Sequence, residues 1–273
     1  MGSSALKRLQ APMGEKSKLR IALLGGFRVW VDSQLIPDQA WTRRKVQALV
    51  KLLALTSRHC MHREQLMALL WPEAEIESAR NNLRQTLHLA RQVIKNAGHS
   101  DSGIFIDHNG WLCLTPEGET WVDAEAFESA AATCHRLEDP SACKNALVLY
   151  TGDLLPEDLY EDWVTSRRES LHWLYLSLQI KLGMILESQG DIEQAIEIFH
   201  QVIAADPTAE HAHRALMRLY TSAGLRQKAL QQYHRLREIL DRELALEPDL
   251  ESRNLYDDIL FGRFQNELRL LNK

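Results

Sequence analysis

The chain has 273 residues, with 32 lysines and arginines against 37 aspartates and glutamates, and its formal net charge is -5. Its apolar fraction of 45% and charged fraction of 25% are ordinary for a folded globular protein, which excludes a disordered or fibrous chain. No uncharged apolar run approaches the roughly 18 residues of a membrane helix, so we predict no membrane partner.

The net charge conceals a difference between the two halves of the chain. Residues 1–115, the basic half, hold 16 basic and 9 acidic residues, a balance of +7. Residues 116–273, the acidic half, hold 16 basic and 28 acidic residues, a balance of -12. The length is typical of two domains. Residues 1–18 carry four cations and no apolar core, so we expect a disordered tail rather than a signal peptide.

The basic half begins with a β pattern and continues with three helical patterns. Leu19 to Ile36 is rich in β-forming residues and is interrupted by Gly25-Gly26. Thr42 is a candidate N-cap for a helix whose apolar residues recur from Val46 to Ala54. A second, shorter helix is predicted from Met61 to Leu70, because Trp71-Pro72 ends it.

The third predicted helix, from Ser78 to Ile94, has two contrasting faces. Its apolar stripe recurs at helical spacing and consists of Ala79, Leu83, Leu87, Ala90 and Ile94. The opposite face carries amides, a histidine and arginines, the groups that read base edges in DNA. An ordinary solvated face is the alternative interpretation, although such a face more often carries Glu and Lys.

A hairpin completes the basic half. Asn109-Gly110 lies between two apolar runs within Ile104 to Leu114, which is a strong hairpin signal. The order of strands, three helices and a hairpin predicts an α+β winged helix-turn-helix over residues 19–118. Residues 43–95 hold ten basic and four acidic residues, which suits a phosphate-binding surface if most cations share one face.

The acidic half is helical in pattern. Asp123 is a candidate cap for the first helix, and further helices are predicted over Ala142–Tyr150 and Leu159–Leu186. A repeat then appears at an offset of 34 residues, the tetratricopeptide period. The matched pairs are Leu182 and Leu216, Leu186 and Tyr220, Gly190 and Gly224, Ala195 and Ala229, Ile196 and Leu230, Phe199 and Tyr233, and Val202 and Leu236. We therefore predict an all-α, tetratricopeptide-like domain over residues 119–273.

The cysteines show no metal or disulfide signature. Cys60, Cys113, Cys134 and Cys143 form no CxxC pair, so we expect free thiols in a reducing cytoplasm. Cys134 and Cys143 as a thiol pair is the less favoured alternative. His211 and His213 are two residues apart on a predicted helix and point in different directions, so we predict no metal and no cofactor. The sequence carries no catalytic motif, so we predict no catalytic residues and no enzyme.

Motifs in both halves resemble the SARP family of OmpR-type winged-helix activators. In the basic half they are Leu24-Gly25-Gly26-Phe27, Leu69-Leu70-Trp71-Pro72, Ala79 with Leu83, Gly110-Trp111, and Val122-Asp123 with Phe127. In the acidic half, motifs such as Leu149-Tyr150, Gly152-Asp153-Leu154-Leu155, Arg167-Arg168, Gly190-Asp191 and Asp206-Pro207 resemble the family's bacterial transcriptional activation domain. The resemblance covers about residues 19–260 and implies the small, two-domain form of the family. Trp111 stands where the family tends to carry tyrosine.

The resemblance implies site residues within the winged helix. The third helix becomes the recognition helix, with Asn81, Arg84, Gln85 and His88 as base readers. The phosphate contacts would be Arg43, Arg44, Lys45, Arg63, Arg80 and Arg91. The wing offers His108 and Asn109 but no Lys or Arg, so we expect weak wing contacts. Glu73, Glu75 and Glu77, between the second and third helices, suit a basic surface of RNA polymerase; a plain helix-start loop is the alternative.

These features predict a cytoplasmic, nucleoid-associated transcription activator. By resemblance, it binds promoter direct repeats in double-stranded DNA as a homodimer and recruits RNA polymerase through the sigma or alpha subunit. Two other functions remain open: a helical-repeat interaction scaffold whose basic half docks a protein, and a regulator gated by a small molecule in the repeat domain.

Overall fold

The computed structural model describes residues 19–97, 104–115 and 120–263, which form a mostly helical protein with two small sheets. The tail predicted for residues 1–18 and the domain boundary predicted at residue 118 lie outside the described residues. The fold divides into two compact units. The first comprises residues up to Ser129 with Val148–His172, and the second comprises Ala130–Leu147 with residues from Trp173 onward. No described helix is long and apolar enough to cross a membrane.

A four-stranded sheet opens the first unit. Its strands are β1 (Leu19–Ala22), β2 (Arg28–Val31), β3 (Gln34–Leu35) and β7 (Thr120–Val122), in the order β3-β2-β1-β7. β1 pairs antiparallel with β2 and parallel with β7. Alternate residues of β2, Val29 and Val31, are buried, which is the period of two expected of a strand in a sheet with one covered face. The predicted β-structure is confirmed here.

Three helices and a second sheet follow. The helices are α1 (Arg44–Leu55), α2 (Arg63–Leu70) and α3 (Ile76–Asn96). The second sheet has the order β4-β6-β5 and contains β4 (Cys60–His62), β5 (Phe105–His108) and β6 (Trp111–Leu114). The predicted hairpin is confirmed: Asn109 and Gly110 turn between β5 and β6 with φ of 50° and 81°. This arrangement is compatible with a winged helix.

Two predicted helix starts in this unit were wrong. Thr42 does not cap α1, because Arg43 occupies the N-cap position and the helix begins one residue later. Met61 lies in strand β4, where it pairs with Leu112 of β6, so α2 begins only at Arg63. The pairing of β4 with the hairpin, a tertiary contact, outweighs the local helical pattern.

The prediction of free cysteines was also wrong. Cys60 and Cys113 face each other in the β4–β6 register, with Cα atoms 4.1 Å apart, and form a disulfide. Cys134 and Cys143 form a second disulfide with Cα atoms 4.8 Å apart. Spacing in the sequence does not reveal the first pair, because strand register brings together residues that are 53 positions apart.

Helices α4 (Asp123–Leu137), α5 (Pro140–Leu149) and α6 (Asp162–Ser188) follow β7. Asp123 was predicted to cap a helix, but its buried carboxylate accepts hydrogen bonds from the backbone N–H groups of Leu23 and Leu24, both at 2.9 Å. Burial raises the pKa of Asp123 to about 6, because loss of hydration outweighs the backbone donors and the nearby charge of Arg28. This carboxylate joins the start of α4 to the end of β1.

The loop after α5 packs against the same strand end. The N–H of Gly25 donates to Asp153 O, and the N–H of Leu155 donates to Leu23 O, both at 2.9 Å. The hydroxyl of Thr151 donates to Leu24 O at 2.6 Å. Gly25 has a φ of 74°, and an added Cβ would lie 3.0 Å from Thr151 Oγ1. The motif residues from 151 to 155 therefore make structural contacts within the first unit.

A buried lysine ties α1 to that segment. The Lys51 side chain is 1% exposed, and its ammonium lies 3.0 Å from Glu157 Oε1 and 2.5 Å from Asp158 Oδ2. It also lies 4.9 Å from the centre of the Phe27 ring. Arg168 of α6 fixes the loop by donating to the carbonyls of Leu154, Leu155 and Asp158 at 2.8, 3.0 and 3.0 Å.

The second unit contains the predicted repeat. Its further helices are α7 (Ile192–Ala205), α8 (Glu210–Ser222), α9 (Arg226–Leu244) and α10 (Leu250–Leu260). The backbone bond from Asp191 N to Leu186 O, at 2.9 Å, recurs 34 residues later from Leu225 N to Tyr220 O, at 2.8 Å. The intervening glycines, Gly190 and Gly224, have φ of 81° and 76°.

The repeated small residues also match the expected packing. Ala195 and Ala229 are fully buried, which allows neighbouring helices to approach closely. In the first repeat, Phe199 packs against Gly183, where an added Cβ would lie 2.7 Å from the ring. The tetratricopeptide-like pattern predicted from the sequence is therefore present in the geometry of this unit.

Replacement of the buried lysine tests its role in the first unit. We expect Lys51→Met to lower the free energy of unfolding by about 1–3 kcal/mol, because it leaves two carboxylates unpaired but keeps the apolar stem. The partly exposed partners regain hydration, which limits the loss. Urea denaturation of the full chain measures the difference. Lys45→Met, an exposed site on the same helix, is the control and should change stability by less than about 0.5 kcal/mol.

The raised pKa of Asp123 predicts a pH dependence of stability. Because its folded pKa of about 6 lies above the ordinary aspartate pKa of 3.8, the folded state binds this proton more tightly than the unfolded state does. Its contribution is full only below about pH 3, where the unfolded carboxyl is protonated too, and is lost as the pH rises through 6. Relative to the non-titrating Asp123→Asn variant, the wild type should gain about 2–2.5 kcal/mol of stability between pH 7.5 and 4. A difference that stays constant or falls on acidification would contradict this assignment.

Candidate nucleic-acid interface

Helix α3 is fixed in its rotation by its apolar stripe. All five predicted core residues, Ala79, Leu83, Leu87, Ala90 and Ile94, are buried. Because they recur along one side of the helix, the opposite side faces solvent over its whole length. The structure therefore fixes which polar side chains of α3 are available to a partner.

The exposed side of α3 carries the four predicted base readers. Asn81, Arg84, Gln85 and His88 are all exposed. Arg84 Nη1 lies 3.4 Å from Asn81 Oδ1, and the ring of His88 hydrogen-bonds to Gln92 at 2.9 Å. These are single hydrogen bonds between exposed groups, so a base edge can replace them at little cost.

One side of this face is bordered by the start of α1. Arg43, Arg44 and Lys45 are exposed and line a groove together with Gln85 of α3. None of the three has a carboxylate partner among the described residues. The positive end of the α1 helix dipole adds to their charge. This border combines free cations with a predicted base reader.

The other side is bordered by α2 and the hairpin. Arg63, Arg80 and Arg84 line one depression together with Gly110 at the hairpin turn. Arg63 Nη1 lies 3.0 Å from Asp107 Oδ2, and Arg80 Nη1 lies 2.6 Å from Glu77 Oε1. Arg91 donates to the carbonyl of Phe105 at 3.3 Å. These three predicted phosphate contacts have partners within the chain, so a phosphate must share or displace them.

The hairpin tip is held against α2. The N–H of Arg63 donates to Gly110 O at 2.9 Å, and the rings of His62 and Trp111 meet edge to face at 5.6 Å. His108 and Asn109, the predicted wing residues, are both exposed at the tip. The structure thus places the tip beside the N-terminus of α2.

The acidic segment between α2 and α3 is exposed. Glu73, Glu75 and Glu77 all face solvent, although Glu77 is engaged with Arg80. Ile76 lies among them and is 68% exposed. The sequence pattern did not indicate this exposed isoleucine, which occupies the first position of α3, before the buried residues of the apolar stripe. The segment therefore presents one large apolar side chain between three carboxylates.

One counted cation does not belong to this surface. Lys51 was among the ten basic residues from 43 to 95, but it is buried and paired in the first unit. It therefore adds nothing to a phosphate-binding surface, and it is not among the six predicted phosphate contacts. No local signal in the sequence reveals this, because its carboxylate partners lie 106 and 107 residues further along the chain.

The histidines considered as metal ligands have other partners. His213 is buried and bonds to Pro207 O at 3.1 Å and to Gln232 at 2.8 Å, and burial lowers its pKa. His211 lies 3.0 Å from Arg214 Nη2. Across residues 19–97, 104–115 and 120–263, no group of three or more His, Cys, Asp or Glu is placed to hold a metal ion.

Comparisons with known proteins identify relatives of both halves. The bacterial transcriptional activator domain matches residues 122–260. The chain is 26% identical to the regulatory protein AfsR of Streptomyces coelicolor over 241 residues, which cover 86% of this chain and 23% of that relative. It is also 26% identical to AfsR of Streptomyces griseus over 247 residues, covering 89% of this chain and 24% of the relative. The chain thus spans about a quarter of the length of these curated relatives.

A solved structure shares the fold. Mycobacterium tuberculosis EmbR, determined in complex with a low-affinity phosphopeptide, superposes with a TM-score of 0.76 over 94% of this chain and 72% of that chain. The sequence identity is 17%. The likeness therefore concerns the fold of the chain.

Proposed function

Because the chain belongs to the SARP-type transcriptional regulators that carry a bacterial transcriptional activator domain, we propose that it is a sequence-specific DNA-binding activator. The observation that carries this proposal is the exposed side of α3, where Asn81, Arg84, Gln85 and His88 lie between two bordering sets of cations. Cations on both sides of an exposed helix face are typical of a phosphate-binding surface and are not expected of a helix that only contacts solvent.

In this proposal, residues up to about 118 act as a winged helix that inserts α3 into the major groove. Arg84 suits the two acceptors of a guanine edge, whereas Asn81 and Gln85 suit the donor and acceptor of adenine. His88 reads a further base along the same groove.

Backbone phosphates position the helix on the duplex. Arg43, Arg44 and Lys45 are the strongest candidates, since they have no internal ion pair among the described residues. Arg63, Arg80 and Arg91 contribute less, because each must share or exchange its present partner. At the wing, His108 and Asn109 offer hydrogen bonds but no fixed charge, so we expect the wing to contribute least.

The family supplies the larger arrangement that we propose. Two protomers bind direct repeats head to tail upstream of a promoter, and the helical-repeat domain serves protein contacts there. Glu73, Glu75 and Glu77, with exposed Ile76 among them, suit a basic patch with an apolar centre on the sigma or alpha subunit of RNA polymerase. A protein with this role works at the nucleoid in the cytoplasm.

Variants of α3 test the base readers against a DNA site chosen by selection from random sequence. We expect Arg84→Ala and Gln85→Ala each to lose about 1–3 kcal/mol of affinity for that site, and to relax the preference at one base position. Binding to unrelated DNA should change little for Gln85→Ala, because it removes no charge. Gel-shift titration at fixed salt measures both affinities.

Gln201→Ala, an exposed glutamine on α7, is the matched control and should bind like the wild type. Equal sequence preference in the wild type and both α3 variants would show that α3 is not the reading helix. If no DNA is selected at all, the interaction scaffold becomes the better description.

A further inference from the structure

The acidic half contains one segment of the opposite charge. Residues 211–237, which span most of α8 and the first part of α9, hold six lysines and arginines and no aspartate or glutamate. The cations are Arg214, Arg218, Arg226, Lys228, Arg235 and Arg237. The acidic half has a net charge of -12, so its basic segment is expected to pair with carboxylates. The structure shows which of the six cations do so.

Three of the six cations have partners within the chain. Arg214 is buried and lies 2.5 Å from Asp249, and Arg218 lies 3.8 Å from Glu187. Arg226 donates to the carbonyls of Ile259 and Leu260 at 3.0 and 2.6 Å. These three arginines connect helices of the second unit, so they are structural residues and not candidates for ligand binding.

The other three, Lys228, Arg235 and Arg237, have no carboxylate within ion-pair distance in the described part of the chain. All three are exposed. Lys228 and Arg235 are seven residues apart, which places them two turns apart on the same side of α9. Arg237 is nine residues from Lys228 and so lies on the opposite side of that helix.

Lys228 and Arg235 line one surface cavity of about 330 Å³ together with Tyr220, Gln231 and Gln232. The Lys228 ammonium lies 5.9 Å from the centre of the Tyr220 ring. The Tyr220 hydroxyl lies 2.9 Å from His200 Nε2 of α7, which orients it at the cavity wall. Residues of α8 and α9 thus line this cavity, and His200 of α7 supports Tyr220 from outside it.

Hydrogen-bond donors dominate the lining. Lys228 and Arg235 are cationic, and the glutamine amides add further N–H donors. The Tyr220 hydroxyl adds another donor when His200 Nε2 carries the ring proton and donates to it. Gln232 is buried and already fixed, since its amide bonds to His213 at 2.8 Å. Burial, and in second place the charge of Arg235, lower the pKa of His200, the partner of Tyr220. No carboxylate lines the cavity, so an anion would meet attraction without repulsion.

We propose that the second unit binds a phosphate-bearing small molecule in this cavity, with Lys228, Arg235 and Tyr220 contacting the phosphoryl oxygens. Several phosphoryl oxygens match two cations and a hydroxyl better than a single carboxylate does. The cavity volume lies at the lower end of the range for small-ligand sites, which favours a small molecule over an extended peptide. This inference goes beyond DNA binding, since it assigns a ligand to the helical-repeat region.

Calorimetric titration of the full chain tests this site, with inorganic phosphate, 5′-AMP and ATP as probes at constant ionic strength. We expect saturable, one-site binding of at least one probe. Tighter binding of the nucleotides indicates that the phosphoryl group belongs to a larger ligand, whereas equal binding indicates free phosphate as the ligand. The absence of saturable binding for all three probes would overturn the proposal.

Single charge-removing variants provide the specificity test. Lys228→Gln and Arg235→Gln should each weaken binding about tenfold or more, because each removes a charge-assisted hydrogen bond. Arg237→Gln is the matched control, with the same loss of charge on the same helix but on the opposite side. Arg237→Gln should retain wild-type affinity. An equal loss of affinity in all three variants would mean that only the net charge of the protein matters, which would contradict a defined site.

Tyr220→Phe separates ligand binding from folding. It removes only the hydroxyl, so it should lower affinity severalfold and leave the thermal unfolding of the free protein nearly unchanged. Unaltered affinity in Tyr220→Phe would remove this residue from the site. DNA binding by the first unit is measured independently, so failure of this proposal leaves the function proposed for α3 intact.

Discussion

The buried ammonium of Lys51 is the constraint on which the first unit depends. A lysine withdrawn from water requires anionic partners, and here they are Glu157 and Asp158. Both belong to the region matched by the bacterial transcriptional activator domain, yet they fold within the same compact unit as α1. The helix that carries Arg43, Arg44 and Lys45 at its start is therefore positioned by residues more than a hundred places further along the chain.

Asp123 is a second buried charged group in the first unit, and its partners are backbone N–H groups. Its carboxylate binds the backbone at the end of β1, where the loop around Gly152 also pairs. Lys51 thus fixes the segment from 148 to 172 to α1 directly, and Asp123 holds the strand end with which residues 153–155 pair. This explains why the shared motifs of that segment contain glycines and backbone contacts rather than an exposed binding site: they serve the geometry of a surface formed elsewhere.

Local and periodic features of the fold were predictable from the sequence. The stripe of α3, the Asn109-Gly110 hairpin and the 34-residue repeat all depend on spacing, so their patterns indicated the right elements. The partners of Lys51 and Asp123 and the Cys60–Cys113 disulfide depend on which distant segments meet, which spacing does not encode. Strand β4 was missed for the same reason, because it pairs with β6, about 50 residues further along the chain. The candidate base readers lie exposed on one side of α3 as predicted, but only the structure distinguishes free cations from paired ones.

The salt dependence of DNA affinity tests the central claim most directly, namely that this face of α3 and its bordering cations bind a duplex. Three free cations at the start of α1 and up to three shared ones near α2 and the hairpin predict about three to six phosphate contacts. A plot of log affinity against log salt concentration should then be linear, with a slope of about -3 to -5. A slope near zero would contradict the account, because binding would then proceed without phosphate contacts.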